Sequence, residues 1–238
     1  MDKKYELIPS DIEGYYKVKA LRDFGLVKAG DIGGYVQSEK NLSQEGDCWV
    51  FKDCFASENA KVSDNAIVMN NSYISGNAKV YGNAIVMYNC NITDDVEIFD
   101  TAVVHDCATV RHNVKIYGDS EVGGLIILYG NVDIKNTRGV YGKLTIGGKI
   151  KINNTNDVVI FHSPYRDEEC FCWLRSYNKW CVGVFDGSAK ELLEKSYSES
   201  KEKGDFFKKY VKFVEKHIMT EEMPWYKRIS VYFKTLFY

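Results

Sequence analysis

Proline is scarce, with three residues among 238. A residue that cannot donate to a sheet ladder is kept out of strand interiors, so this scarcity suits a chain that pairs strands along most of its length. No apolar run approaches the roughly 18 residues that a membrane span needs. The opening Met1-Asp2-Lys3-Lys4 leads into mixed polar sequence and does not read as a secretory signal. Neither sign of charge dominates, since 31 Lys and Arg stand against 33 Asp and Glu. That balance argues against a general nucleic-acid binder, which carries a basic excess, and against an acidic DNA mimic. The seven cysteines are an odd number with no framework spacing, so the expectation is a cytoplasmic protein with reduced thiols.

Glycine, asparagine and aspartate are plentiful, and these residues tolerate the positive-φ corners of a repeatedly turning strand. Written in sixes from Val36, the chain falls into columns that hold to Leu125. The third column is apolar and, apart from Ala56, branched: Val50, Ala56, Val62, Val68, Ile74, Val80, Val86, Ile92, Ile98, Val104, Val110, Ile116 and Val122. The first column is small or modest, including Cys48, Cys54, Ala60, Ala66, Ala78, Cys90 and Val114. The sixth reads as the turn position, with Asn59, Asn65, Asn71, Asn77, Asn83 and Asn89 in succession. Residues 60–77 match residues 78–95 at about ten of eighteen positions, so three sixes make one coil. The fold expected is mainly β: a left-handed parallel β-helix with triangular coils stacked about 4.8 Å apart. Cys48, Cys54 and Cys90 then belong to its core.

The leader carries Ala20-Leu21-Arg22-Asp23-Phe24-Gly25, Lys28-Ala29-Gly30-Asp31 and Gly33-Gly34-Tyr35-Val36. It continues through Asn41-Leu42-Ser43-Gln44-Glu45-Gly46-Asp47-Cys48-Trp49-Val50. Together with the hexads it resembles a bacterial and bacteriophage hexapeptide-repeat family (YdcK-like), over about residues 15–125. The C-terminal module resembles, more loosely, that of phage-borne members. The resemblance implies a left-handed β-helix and offers an acyl-CoA-dependent acyltransferase as the obvious enzymatic reading.

Three segments are expected: a capping segment at 1–35, the β-helix with irregular final coils at 36–157, and a small α+β module at 158–238. After Leu125 the register is expected to break, with Gly123, Gly124, Gly130, Gly139, Gly142, Gly147 and Gly148 breaking the sixes. Strands are expected at Val158–His162, Cys170–Arg175 and Trp180–Phe185. Ser188 with Glu191 forms a capping box into a helix over about 189–203, which Gly204 ends; a second follows from Asp205 to His217.

Catalytic signals are sparse. His105 and His112 are the histidines of the repeat, and no long loop leaves the prism to build a cofactor cleft; they read as corner or face residues. Three zinc-binding histidines of a γ-type carbonic anhydrase are not supplied. His162, Cys170, Cys172 and Cys181 are weak candidates for a zinc site, their spacing matching no standard knuckle. No cofactor is expected.

The outward positions are more informative. Two faces are polar with scattered aromatics. The third carries Trp49, Phe51, Ile67, Met69, Ile85, Met87, Val103 and His105, an apolar wall larger than soluble monomers usually expose. The C-terminal module, a second subunit or a foreign protein could cover it. Trp225, Ile229 and Phe233 in the aromatic tail would share one side of a helix and pack on the module or on a symmetry mate, with a membrane surface less favoured. The sequence favours a non-catalytic, homo-oligomeric (dimer or trimer) protein-binding scaffold. By the phage-like resemblance alone it would work in a host cytoplasm, as a counter-defence inhibitor of a host complex. The acyltransferase and a polymer-forming structural protein are the rival readings.

Overall fold

The computed structural model describes residues 3–163 and 170–219. Its larger unit comprises 1–177 with 181–184, and a smaller unit comprises 178–180 with 185–238. The larger unit is a parallel β-solenoid. Two-residue rungs recur every six residues, and each pairs in parallel with the rung eighteen residues on, as in Ile67↔Ile85↔Val103. The three-residue rhythm of inward, outward, inward side chains leaves the first and third columns facing the axis. Both are sealed from solvent from Cys48 to Val122. Each coil buries its apolar edge only against its neighbours, which is why the repeat has to be continuous.

The columns do not stop at Leu125. Leu128, Ile134, Val140, Ile146, Ile152 and Val158 extend the third column at the same spacing, and Ile126, Val132, Leu144 and Ile150 extend the first, all buried, with one break where Thr137 is buried in place of the exposed Arg138. The strand Ile127–Lys135 pairs with Thr145–Ile152 at an offset of eighteen throughout, as Ile127↔Thr145 and Ile134↔Ile152. One coil is irregular, with a register shift where Glu121 and Val122 pair with Arg138 and Val140 beside Gly139, but the other late coils keep the period. The corner residue in left-handed conformation is the fifth of each hexad, with φ between +54° and +70° from Glu58 to Gly118. Gly124, Gly130, Gly142 and Gly148 occupy that same position with φ of +82° or more. Such angles exclude most L-residues, so glycine there maintains the corner.

The sixth-position asparagines serve another purpose. Asn59 Nδ2 donates to Asn77 Oδ1 at 3.1 Å, Asn77 Nδ2 to Asp95 Oδ1 at 2.9 Å, and Asn65 Nδ2 to Asn83 Oδ1 at 3.0 Å. They form amide ladders along the prism edges. Fifth-position carboxylates add a second set of ties. The backbone N–H of Gly82 donates to Asp64, that of His112 to Asp94 and that of Gly118 to Asp100, at 2.8–3.0 Å. Each satisfies a corner N–H one coil away.

The N-terminal opening is closed by an antiparallel meander of β1 (Tyr5–Pro9), β2 (Tyr16–Ala20) and β3 (Ile32–Val36). β3 then joins the prism in parallel through Tyr35↔Phe55 and Val36↔Ala56. Gly33 belongs here because a Cβ would lie 2.6 Å from Val50 O and 2.8 Å from Trp49 Cε2. At the other end, Val158–His162 pairs antiparallel with Cys170–Leu174, and the Cys170 N–H donates to Lys143 O at 3.1 Å. Val158, Cys170, Cys172 and Leu174 join the prism's own apolar core.

The smaller unit holds α1 (Ala189–Glu199) and α2 (Lys201–His217). The Ser188–Glu191 capping box is present. The break between the helices falls at Ser200, whose extended backbone (φ −164°) ends α1 and whose hydroxyl caps Lys203 N–H. Gly204 is therefore inside α2 rather than a terminator. Its missing side chain admits the Tyr197 ring, since a Cβ would sit 2.2 Å from Tyr197 Cδ1. Among the described residues no helix is long and apolar enough to cross a membrane.

Candidate interaction surface and the His105 cluster

The apolar wall is one continuous sheet face. Trp49↔Ile67, Ile67↔Ile85 and Ile85↔Val103 pair in register, and the fourth-position side chains Phe51, Met69, Met87 and His105 run beside them. Trp49 is not available on it. The leader covers the indole, with Phe24 at 5.4 Å and Tyr5 at 6.2 Å between ring centroids, leaving it 2% exposed. Phe51, Ile67, Met69, Ile85, Met87 and Val103 are half-buried, because each leans on its counterpart one coil away. Their combined open area is at most roughly 400 Å², within what single-chain proteins display. The wall is thus less extreme than a count of its residues suggests. Trp225, Ile229 and Phe233 lie outside the described residues.

At its C-terminal end the wall becomes polar. His105 Nδ1 lies 2.9 Å from Asp106 Oδ2, and Nε2 faces Glu121 Oε1 at 3.5 Å without hydrogen-bond alignment. The ring lies over Gly123, where a Cβ would come within 2.4 Å of Cε1, and meets Tyr141 at 5.5 Å. Burial, followed by a hydrogen bond to the Glu121 carboxylate, pushes the Tyr141 hydroxyl up to about 12. His105, Gly123 and Tyr141 are the same hexad position on three successive coils. The other prism face repeats the device, where the Tyr129 ring covers Gly147 and a Cβ would lie 2.1 Å from its Cζ. An aromatic ring over a glycine of the next coil is therefore a packing solution used twice. A general base needs a nitrogen open to its substrate, whereas both His105 nitrogens face carboxylates.

His112 occupies a fifth, left-handed position with φ +64°. Its N–H donates to Asp94 at 2.8 Å and its Nδ1 accepts from Gly130 N–H at 3.3 Å. It takes the place that Asp64 and Asp100 hold in the corner ladder.

The zinc candidates come together as two pairs. Cys170 Sγ lies 3.2 Å from His162 Nδ1, following their register across the hairpin. Cys172 shares a thiol hydrogen bond with Cys181, and this bond with burial raises it well above the usual thiol range. Among the described residues no group of three or more His, Cys, Asp or Glu side chains is arranged to hold a metal.

The remaining faces carry stacked ring ladders. Tyr35, Phe55 and Tyr73 lie 4.6 and 4.9 Å apart, and Tyr81, Phe99 and Tyr117 lie 4.9 and 4.8 Å apart, nearly parallel. The central rings, Phe55 and Phe99, are covered on both faces, while Tyr73 at the end of its stack stays 47% exposed. The 18-residue spacing places these rings in columns, whereas Glu121 and Tyr141 reach His105 from later coils and join Asp106, its neighbour in sequence.

No family model matches the chain. It is similar to the uncharacterized acetyltransferase YdcK of Escherichia coli (strain K12), at 35% identity over 60 residues. That stretch is short. It covers 25% of this chain and 17% of the relative, so it supports a distant kinship and carries no activity across.

Proposed function

We propose that the chain is a non-catalytic protein-binding scaffold whose recognition face is the wall from Phe51 to Val103, and that a second copy of the chain is its first occupant. The observation that carries this reading is the wall itself: two apolar columns in register on a flat face, half-buried from Phe51 to Val103 and covered by the leader at Trp49. At roughly 25 cal/mol per Å², burying at most about 400 Å² on each partner corresponds to about 10 kcal/mol per partner before association costs of similar size. With a polar rim, two such faces reach the lower end of stable interface sizes, roughly 1,200 Å² in all. A flat strand ladder also suits a two-fold contact with itself.

The test is Ile67→Glu with Ile85→Glu, followed by light scattering and circular dichroism. A folded species of lower mass than wild type is expected. Retention of the wild-type mass removes the wall as the subunit contact, and loss of cooperative folding assigns it to packing within the chain. A wall left free in a monomer would point to a foreign protein, of which a host complex targeted by a phage-type inhibitor is the case implied by the family resemblance. Filaments would favour the polymer-forming reading.

Acyl transfer is the second reading, suggested by the relative's name. Acetyl-CoA binding at low micromolar strength, lost in His105→Asn while the fold persists, would put it first.

A further inference from the structure

Lys4 is an ammonium with no exposure to solvent, beneath the first coil. Its Nζ donates to the carbonyls of Glu45 and Gly46 at 3.3 Å and of Cys48 at 3.0 Å, and it lies 5.1 Å from the Phe24 ring centroid. Among the described residues no carboxylate pairs with it. Its remaining neighbour is the Cys48 thiol, with Sγ 3.2 Å from Nζ. That sulfur is itself fully buried and lies 3.6 Å from each of the carbonyls of Ser43, Glu45 and Val62. A carbonyl cage alone would hold the ammonium, so the thiol contact is a separate feature. It places an amine and a thiol in reach of one another where water does not compete.

We propose that Lys4 and Cys48 form an oxidative crosslink site, in which peroxide joins Nζ to Sγ through a single oxygen atom and pins β1 to the first coil. The first peroxide takes the thiol to a sulfenic acid and leaves one water. The second removes two hydrogens between that S–OH and the free amine and leaves two waters. One oxygen remains in the S–O–N bridge, and sulfur and nitrogen each lose two electrons. The amine must first give its ammonium proton to solvent, and burial, which lowers the basicity of Lys4, favours that loss. Burial also raises the Cys48 thiol, so the contact rests as a neutral thiol that only a small oxidant can reach. Enclosure keeps bulkier thiols from the sulfenic acid while still admitting a second peroxide, and leaves the amine as its available partner.

The experiment treats the folded full-length chain with hydrogen peroxide, then denatures it, alkylates free thiols and maps peptides by mass spectrometry. Expected is a crosslinked peptide containing both Lys4 and Cys48, with one oxygen gained and two hydrogens lost. It should resist alkylation, block tryptic cleavage after Lys4, and return to the free residues on treatment with dithiothreitol. The same peroxide applied to the denatured chain should yield no crosslink. Cys48 that remains fully alkylatable after treatment of the folded chain, or that appears only as unlinked sulfenic or sulfinic acid, overturns the proposal. Lys4→Met adds a check where it folds: Cys48 oxidation should then proceed to unlinked acids.

Discussion

Gly130→Ala tests the reading that late glycines maintain the coil. Gly130 has φ +86°, and a Cβ there would stand 2.8 Å from Gly148 O and 2.9 Å from Gly148 N. An L-residue in left-handed backbone costs about 1–2 kcal/mol. Contact with a backbone that is itself held by the next coil adds about 1–2 kcal/mol more. The sum, about 3 kcal/mol, should lower the melting temperature by about 6–12 °C for a chain of this size. Gly183→Ala is the control, because φ is +57° there and nothing lies within 4 Å of the added carbon. It should lose only the conformational part, about 2–8 °C. Differential scanning calorimetry on the two variants separates the contributions. If Gly130→Ala melts with wild type, or no lower than Gly183→Ala, the late corner is not built as described.

The core makes a cruder prediction. Val86 is fully buried in the third column, so Val86→Asp strands a charge among apolar neighbours at roughly 3–5 kcal/mol and should give insoluble or unfolded protein; a soluble, cooperatively melting variant would contradict the inward column. The helical unit should respond to acid. The Ser188 hydroxyl and N–H hold the Glu191 carboxyl below its usual range, so its contribution is complete above the unfolded carboxylate value and is lost as pH falls through the lower folded value. Circular dichroism should show α1 fraying in that window in wild type and no such step in Ser188→Ala, after its general loss of helix is allowed for.

The period of six, the triangular coil and the identity of the core columns were all legible in the residues, because inward positions must be apolar and sized alike on every coil. The capping box at Ser188 was legible for the same kind of reason: it is a local pattern satisfied by four consecutive residues. Where the late glycines were concerned, composition misled in part, since the irregular coil is confined to the stretch around Arg138 and Gly139. Glycine ordinarily marks the end of a strand pattern, but at Gly124, Gly130, Gly142 and Gly148 it occupies the one corner angle the coil demands, and the apolar columns beside it continue. Gly204 misled likewise, since its role is set by the Tyr197 ring rather than by its own backbone.

Other features were decided only when distant segments met. Trp49 points outward from the prism, as its position in the hexad requires, yet the fold of the leader over it removes it from the surface. His105 gains two carboxylates and a tyrosine from its own and later coils, and Lys4 reaches Cys48 across forty-four residues. Periodicity determines which way a side chain points relative to its own strand. What then lies over that side chain depends on the paths of the chain ends and on which coils stack, and no local pattern records those.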